Sequence, residues 1–476
     1  MNTLKNTFRE IWRYPSAIVG VTMILLLVLV SIYAVIKIPY NQAIYLWRGG
    51  EDVWGANPKF APPAWFNFFS AQKQPLSLVA NTADGTMTKT VTVGAQNTNT
   101  INISYSFDYQ ADAYPQDVLI NFISKYAAKQ PFVSINWVMP DGSNTRIDNL
   151  GVSQQQTVRF SQDQQFQQSL NGEDPIQTLF NDPKTNKVMK GKYQVKIVGV
   201  TFEQGSDINA QFILQGQVYG LAGTDQYRRD LMVALLWGAP VALAFGLLAS
   251  IGTLFTTMII AAIGTWYGGW VDALIQRITE VNLVLPYLAI LIMVGTFYSH
   301  SIWVILGVTI VLNIFTGSIK SYRAIFMQVK ESMYIEAARS YGASDARIIF
   351  TYLIPRMIPL LIPGLVSSVP SFVFLESTLA ILGLGDPVLP TWGKIIDDAF
   401  TNGALYKGYY YWIMEPAILL MITGLGFAML GFALDRIFNP RLRISNQCHK
   451  ITSFSVLKTW CCISIPLMGR FRRWMV

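Results

Sequence analysis

Long uncharged, apolar stretches at 16–36, 231–271, 281–319, 357–375 and 416–434 set the character of this chain. A helix that crosses a bilayer needs about 20 apolar residues in succession, because its backbone polar groups must be satisfied within the segment. The first, fourth and fifth stretches have the length of one span each. The 281–319 stretch holds two, joined near Tyr298-Ser299-His300-Ser301. The 231–271 stretch reads as a short helix broken at Pro240 and then one span. Six spans result. The first is longer than the roughly 7–15-residue apolar part of a secretory signal, and no small-x-small site follows it, so it is expected to stay in place.

Between the first two stretches the period changes. Segments 101–107 (INISYSF), 132–138 (FVSINWV), 193–202 (YQVKIVGVTF) and 210–219 (AQFILQGQVY) alternate apolar and polar residues, as half-buried strands do. Asp84-Gly85 and Asp141-Gly142 are candidate hairpin turns. One helix is predicted over 115–129, with Val118, Leu119, Phe122, Ile123 and Tyr126 on one face. The whole segment 40–222 is rich in Asn, Gln, Thr, Asp and Gly and is large enough to be a domain. A β-rich, sandwich-like insertion is expected there. Trp54, Trp65, Phe66, Phe68 and Phe69 gather near the first span, where interfacial aromatics belong.

Composition fits this layout. The 476 residues are 52% hydrophobic and 13% charged, about half the charged fraction of soluble domains. The net charge of +8 is unevenly placed. Lys5, Arg9 and Arg13 precede the first span. Lys320, Arg323, Lys330, Arg339, Arg347 and Arg356 surround residues 334–355, and Arg436, Arg441 and Arg443 follow the last span. With six spans all three groups share one side, and their excess marks it as cytoplasmic. The 40–222 segment carries 13 basic and 14 acidic residues and suits the opposite face. The predicted location is therefore the cell membrane, multi-pass, with both termini cytoplasmic and 40–222 extracytoplasmic. The positive charge is a topology signal; no basic patch on a folded domain points to nucleic acid. Cys448, Cys461 and Cys462 all fall in the 444–476 tail and read as unpaired thiols. That tail is basic and aromatic. It is either a lipid-surface segment or an extension without fixed structure.

No stretch offers enzymatic chemistry. The chain has two histidines, His300 and His449, and no His/Cys/carboxylate set with metal-ligand spacing. It lacks a G-x-x-x-x-G-K-[ST] phosphate loop and a G-x-S-x-G elbow. With no catalytic residue, metal or cofactor of its own, it reads as a conduit. The most informative polar segment is 334–355, YIEAARSYGASDARIIFTYLIP, wedged between apolar runs. Glu336, Ala337, Ala338 and Arg339 begin a helix. Gly342 permits a change of direction, Asp345 is placed to cap a second short helix, and Pro355 starts the next span. A docking surface for a soluble partner and an ordinary amphipathic connector both fit that pattern.

Glu376 is the other notable residue. A carboxylate near the end of a span is costly unless paired or wet. A gate or bend near Leu382-Gly383, or direct contact with a solute, would each explain it. Pro359, Pro363 and Pro370 in the same span predict a deformable helix.

The motifs then combine. Glu336-Ala337-Ala338-x-x-x-Gly342, with Leu353-Ile354-Pro355 beyond it, resembles the EAA loop of ABC importer permeases. Gly223-Thr224-Asp225 with Arg229-Asp230, Tyr267-Gly268-Gly269-Trp270-Val271-Asp272, Glu376-Ser377 with Leu382-Gly383-Leu384-Gly385, Pro390-Thr391-Trp392-Gly393, and Asn439-Pro440-Arg441-Leu442-Arg443 resemble, in order, motifs of the oligopeptide/dipeptide branch, second-permease type. Arg228 and Asn439 stand where that branch usually has Gly and Asp, and Ile381 replaces an aromatic residue. The long 40–222 segment and the tail are additions.

The resemblance implies an all-α, six-span permease fold with an inserted β-rich domain. The parts would be 1–39 (lead and first span), 40–222 (insertion), 223–443 (permease core, with its coupling loop at 331–355) and 444–476 (tail). It implies pairing with a second homologous permease and with two cytoplasmic ATPase subunits, which would bind the ATP. An extracytoplasmic solute-binding protein would deliver peptides or similar solutes. Glu336 and Arg339 would supply polar contacts at the ATPase joint, Ala337 and Ala338 the close fit, and Gly342 the bend. Glu376, Pro370, Gly383 and Gly385 would be gate or pathway residues. The insertion would be a docking platform, a cover over the mouth or a stabilising addition. A membrane-anchored receptor or sensor, or an ion-coupled carrier, would need no ATPase dock.

Overall fold

The computed structural model describes residues 14–94, 98–170, 172–183 and 185–438. The basic lead, the Asn439 to Arg443 motif and the cysteine-bearing tail lie outside them.

Alternation builds a sandwich of two antiparallel sheets. One is ordered β1-β11-β4-β7 and the other β2-β3-β10-β5-β6. The strands are β1 (Leu78–Asn81), β2 (Thr88–Val93), β3 (Asn99–Tyr109), β4 (Asp117–Lys125), β5 (Phe132–Val138), β6 (Asn144–Gly151), β7 (Gln155–Arg159), β10 (Gly191–Thr201) and β11 (Asp207–Gln215), with a small β8–β9 ribbon at Asn181–Asp182 and Lys187–Val188. Period two puts Ile101, Ile103, Phe107, Ile135, Trp137, Tyr193, Val195 and Ile197 inward from one sheet, facing Val118, Ile120, Phe122 and Phe212 from the other. Trp137 is fully buried, and its indole N–H donates to the Leu179 carbonyl (3.2 Å).

The four alternating segments read from the sequence all fall on strands, although the last overruns β11, which ends at Gln215. The Asp141-Gly142 turn closes the β5–β6 hairpin, whereas Asp84-Gly85 links β1 to β2, which belong to different sheets. The helix predicted over 115–129 is strand β4. Its Val118, Ile120 and Phe122 obey period two and enter the core, while Ile123, placed on the helical face, is exposed. Nearly continuous apolar character, natural for a central strand between β11 and β7, mimicked a helical stripe.

Helices form the rest. In chain order they are α1 (Pro15–Lys37), α2 (Tyr40–Arg48), α3 (Glu51–Trp54), α4 (Gln164–Ser169), α5 (Pro175–Phe180), α6 (Leu231–Tyr267), α7 (Gly269–Val284), α8 (Tyr287–Phe297), α9 (Ile302–Ile314), α10 (Gly317–Lys330), α11 (Met333–Ser340), α12 (Asp345–Leu384), α13 (Trp392–Thr401) and α14 (Tyr410–Phe438). Among the described residues α1, α6, α12 and α14 are each long and apolar enough to cross a membrane. The pairs α7–α8, bent by 79°, and α9–α10, bent by 49°, raise the number to as many as six if each is one span.

Three helical expectations change. Pro240 does not break its segment: α6 runs unbroken for 37 residues, about 55 Å. A proline removes one donor from the ladder, the one the Leu236 carbonyl would accept, and beside it the Trp392 indole N–H donates to the Leu235 carbonyl (2.9 Å). The 281–319 run is joined near Tyr298 to Ser301 as expected, but neither half is straight; α7 already begins at Gly269 and turns at Leu285-Pro286. Pro355 does not start a span either. It lies within α12, which starts at Asp345 and passes through wide π-type turns at Ile348–Leu353 and again at Ala380–Leu384. The wide turn just before Pro355 absorbs the bond its missing N–H cannot make.

The bundle has two distinct ends. At one, Met258, Ala262, Trp266, Phe326, Ile335, Ile348 and Met357 cluster. At the other, Trp47, Leu231, Trp392, Tyr411 and Trp412 cluster beside the sandwich. The aromatics near the first span meet the second end: Trp65 stacks on Phe66 (4.6 Å between centroids), and Phe66 meets Tyr411 edge-on.

Candidate functional site

The 331–355 segment opens with a short helix held from behind. α11 starts at Met333, earlier than Glu336, and buries Ile335 and Ala338 against the bundle. Its opposite face carries Met333, Tyr334, Glu336 and Ala337 to solvent, and Tyr341 follows at 92% exposure. Spacing decides this split, since residues three apart share a helix face. Ala338 is thus packing within its own chain, which corrects its assignment to a partner's close fit; Ala337 stays on the open face.

Gly342 has φ +77°. Its N–H donates to the Arg339 carbonyl (3.0 Å) and the Ala343 N–H to the Ala338 carbonyl (3.1 Å). This left-handed stop satisfies the last carbonyls of α11. The next helix is capped at Ser344, without a side-chain bond, so Asp345 is a first-turn residue and not the cap.

The cations around this segment do structural work. Lys330 Nζ donates to the carbonyls of Thr265 (3.0 Å) and Trp266 (2.9 Å) at the end of α6. The Arg339 guanidinium lies 5.2 Å from the Trp266 ring centre, within cation–π range. Arg323 makes a fork with Asp272, Nε at 2.7 Å from Oδ1 and Nη2 at 2.5 Å from Oδ2. That pair ties α10 to the start of α7, next to the Tyr267-Gly268-Gly269 turn. The segment is therefore a rigid platform attached to three helices.

The second group lies at the far end of α12. That helix spans 40 residues, about 60 Å, and leads from the residues that follow the α11 stop to the second group. Pro370 and Glu376 are buried within it, Glu376 at 6% exposure. The Ser377 hydroxyl is 3.4 Å from Glu376 Oε2. Gly383 turns the chain with φ +83° inside the last wide turn, and Gly385 follows in extended backbone. Asp386 then accepts from the Ile302 N–H (3.1 Å) at the start of α9. The structure thus brings Glu376, Pro370, Gly383 and Gly385 to one end, and Glu336, Ala337, Arg339, Gly342 and Asp345 to the other.

Sequence reasoning missed a buried network at that end. Arg229 Nε bonds Asp225 Oδ2 (2.5 Å), and its Nη2 bonds Asp398 Oδ2 (2.7 Å). Its guanidinium lies 3.7 Å from the Trp47 ring centre. Lys394 pairs with both Asp397 and Asp398. The Tyr411 hydroxyl donates to the Thr224 carbonyl (2.8 Å). The motif at 223–230 and helix α13, far apart in sequence, therefore form one joint. Their shared signal was charge in otherwise apolar surroundings.

Arg228 departs from the usual glycine and takes φ +64°, a region most side chains avoid. Its Nη1 donates to the Asn57 carbonyl (2.8 Å) and Gln215 Oε1 (2.9 Å). Because Gln215 ends β11, this side chain bolts the sandwich to the residues leading into α6. Burial pulls the Arg228 pKa down from its ordinary value.

Among the described residues no three His, Cys, Asp or Glu side chains converge as a metal site would require. Comparison with known proteins agrees with the geometry. Residues 254–444 match the model of the family described as binding-protein-dependent transport system inner membrane component. The dipeptide transport system permease protein of Bacillus subtilis (strain 168) is 28% identical over 222 residues, 46% of this chain and 68% of the relative. The oligopeptide transport system permease protein of the same organism is 29% identical over 227 residues, 46% and 72%. A putative peptide transport system permease protein of Brucella suis biovar 1 (strain 1330) is 31% identical over 229 residues, 47% and 74%. None of these relatives supports the receptor reading, and all three place the chain in one group: it belongs to the binding-protein-dependent transport system inner membrane components.

Proposed function

We propose that this chain is one permease half of an ABC importer for peptides or similar solutes, with six spans and its α11 face docked on a cytoplasmic ATPase. The observation that carries this reading is α12. It leads from a platform with an open Met333–Tyr341 face to a buried carboxylate about 47 Å along it and a glycine turn about 57 Å along it. A push on the platform reaches the far end through one helix whose wide turns and prolines let it bend without losing its fold. A second homologous permease completes the pathway, and two ATPase subunits bind and hydrolyse ATP. A solute-binding protein delivers cargo to the side of the 40–222 insertion, which is extracytoplasmic; the termini are cytoplasmic.

In this account Glu336 and Arg339 make the polar contacts with the ATPase, Ala337 allows close approach, Gly342 sets the stop, and Asp345 favours the start of α12 as a first-turn acid. Pro355 lets α12 enter its wide turn. Glu376, Pro370, Gly383 and Gly385 form the outer gate. The relatives named for dipeptide, oligopeptide and peptide transport support the solute class.

Uptake into proteoliposomes containing the full complex tests the reading. Glu336→Lys reverses charge on an exposed residue and should leave insertion and assembly of the permease pair intact while separating ATP hydrolysis from uptake. Normal coupled uptake in that variant would remove the docking role.

A further inference from the structure

The sandwich carries a cleft of about 820 Å³ that the transport reading does not use. It lies between the α3 turn and the outward face of β11, β4 and β7. Its size is within the range of about 300–1,000 Å³ typical of ligand sites. The floor is a cross-strand row: Asn121 faces Gln211 on one side and Thr157 on the other. The Thr157 hydroxyl donates to Asn121 Oδ1 (2.8 Å), and Asn121 Nδ2 donates to Gln211 Oε1 (3.1 Å). The row is polarised. Its outstanding groups among the described residues are the Gln211 amide N–H donors at one end and hydroxyl lone pairs of Thr157 at the other.

Ile123, 55% exposed, adds an apolar patch beside this row. Glu51 and Asp52 line the opposite wall and are exposed; Asp52 accepts from the Gly50 N–H (3.1 Å), and Glu51 lies within electrostatic reach of Arg228. Arg159, the one cation in the lining, is already paired with Asp117 (3.1 Å). The lining therefore holds two carboxylates, Glu51 and Asp52, against one cation that is paired elsewhere.

We propose that this cleft binds a short peptide with a free amino terminus. The Glu51–Asp52 wall would take the ammonium group, the Gln211–Asn121–Thr157 row a backbone carbonyl and N–H, and Ile123 a small side chain. A saccharide is the other ligand for amides and carboxylates. Among the lining residues the one phenyl ring beside this floor, Phe122, points into the sandwich core, so no flat apolar platform is offered to a sugar ring. The site stands apart from the transport reading, which requires no binding on this chain's sandwich.

Calorimetry on the full chain in phosphatidylcholine nanodiscs tests it, with tri-alanine, N-acetyl-tri-alanine and maltotriose as probes. Tri-alanine should bind, and acetylation should weaken binding about fivefold, the factor an exposed ion pair supplies. Glu51→Gln with Asp52→Asn should erase that difference, and Gln211→Leu should weaken both peptides at unchanged melting temperature. Glu336→Lys should bind as the parent does, so failure of coupling and failure of this site are separable. Equal affinity for the two peptides, binding untouched by the cleft substitutions, a response to maltotriose, or no binding of tri-alanine would each overturn the proposal.

Discussion

Arg229 allows a prediction whose size follows from the structure. Arg229→Ala deletes the Nε bond to Asp225 and the Nη2 bond to Asp398 and uncovers Trp47. Asp225 has no exposed surface and would keep only backbone donors, the N–H groups of Tyr227 and of residue 229. Breaking a buried pair from one side costs about 3–5 kcal/mol, because a buried charge is left without its partner. Asp398 still has Lys394 at 3.1 Å, which places this case near the lower value, about 3 kcal/mol. That equals a fall of about 6–12 °C in melting temperature at the scaling for 150–250-residue units.

Thermal unfolding of the purified protein in nanodiscs measures it. Adding Asp225→Asn should recover part of the loss, since the neutral amide no longer needs a cation. A single variant within about 0.5 kcal/mol of the parent, the range of an ordinary surface change, would refute the reasoning. So would a double variant no more stable than the single one.

Three further outcomes are expected. At Gly342 an added Cβ meets nothing within 4 Å and φ is +77°, so the cost is all backbone. Gly342→Asn should keep coupled uptake, whereas Gly342→Val, at about 1–2 kcal/mol or more, should lower uptake per ATP hydrolysed without lowering membrane insertion. Arg228→Gly relieves a left-handed residue but loses the bonds to Asn57 and Gln215; hydrogen exchange should rise at residues 55–57 and 215 while the strands of the sandwich core keep their protection. Glu203 accepts from the N–H groups of Ala127 (2.8 Å), Ala128 (2.9 Å) and Lys129 (2.6 Å), and these bonds, that of Ala127 first, hold its pKa below the ordinary value. A depressed carboxylate stabilises the fold above its unfolded pKa and loses that contribution as pH falls through the folded one. Unfolding scans below about pH 4.3, the ordinary Glu value, should show less loss of stability in Glu203→Gln than in the parent.

Much of this architecture was legible because the physics was local. Uncharged runs marked the helices, and alternation marked β3, β5, β10 and β11. Strand β4 was misread because Val118, Leu119, Ile120, Phe122 and Ile123 satisfy both periods, and only pairing with β11 and β7 chooses between them. Edge strands β2 and β7 gave no signal, since Thr88–Val93 is almost wholly exposed and carries no inward face. Pro240 and Pro355 looked like breaks, yet both sit within helices, one near the Trp392–Leu235 bond and the other at a wide turn. Neither could be foreseen from neighbours in sequence. At the coupling segment the residue types were readable, but the division between buried Ala338 and exposed Ala337 required the helix to start at Met333. The Arg229 joint was hidden for a different reason: its carboxylates lie 4 and 169 positions away.

The account rests on the open face of α11 as the contact with an ATPase. Photo-crosslinking from a benzoylphenylalanine placed at position 336, in the complex purified with its ATPase subunits, measures this directly, with the exposed edge-strand position 91 as the control. The account predicts a crosslink from 336 to the ATPase that changes in yield when ATP binds, and none from 91. No crosslink from 336, or an ATPase crosslink from 91, would contradict it.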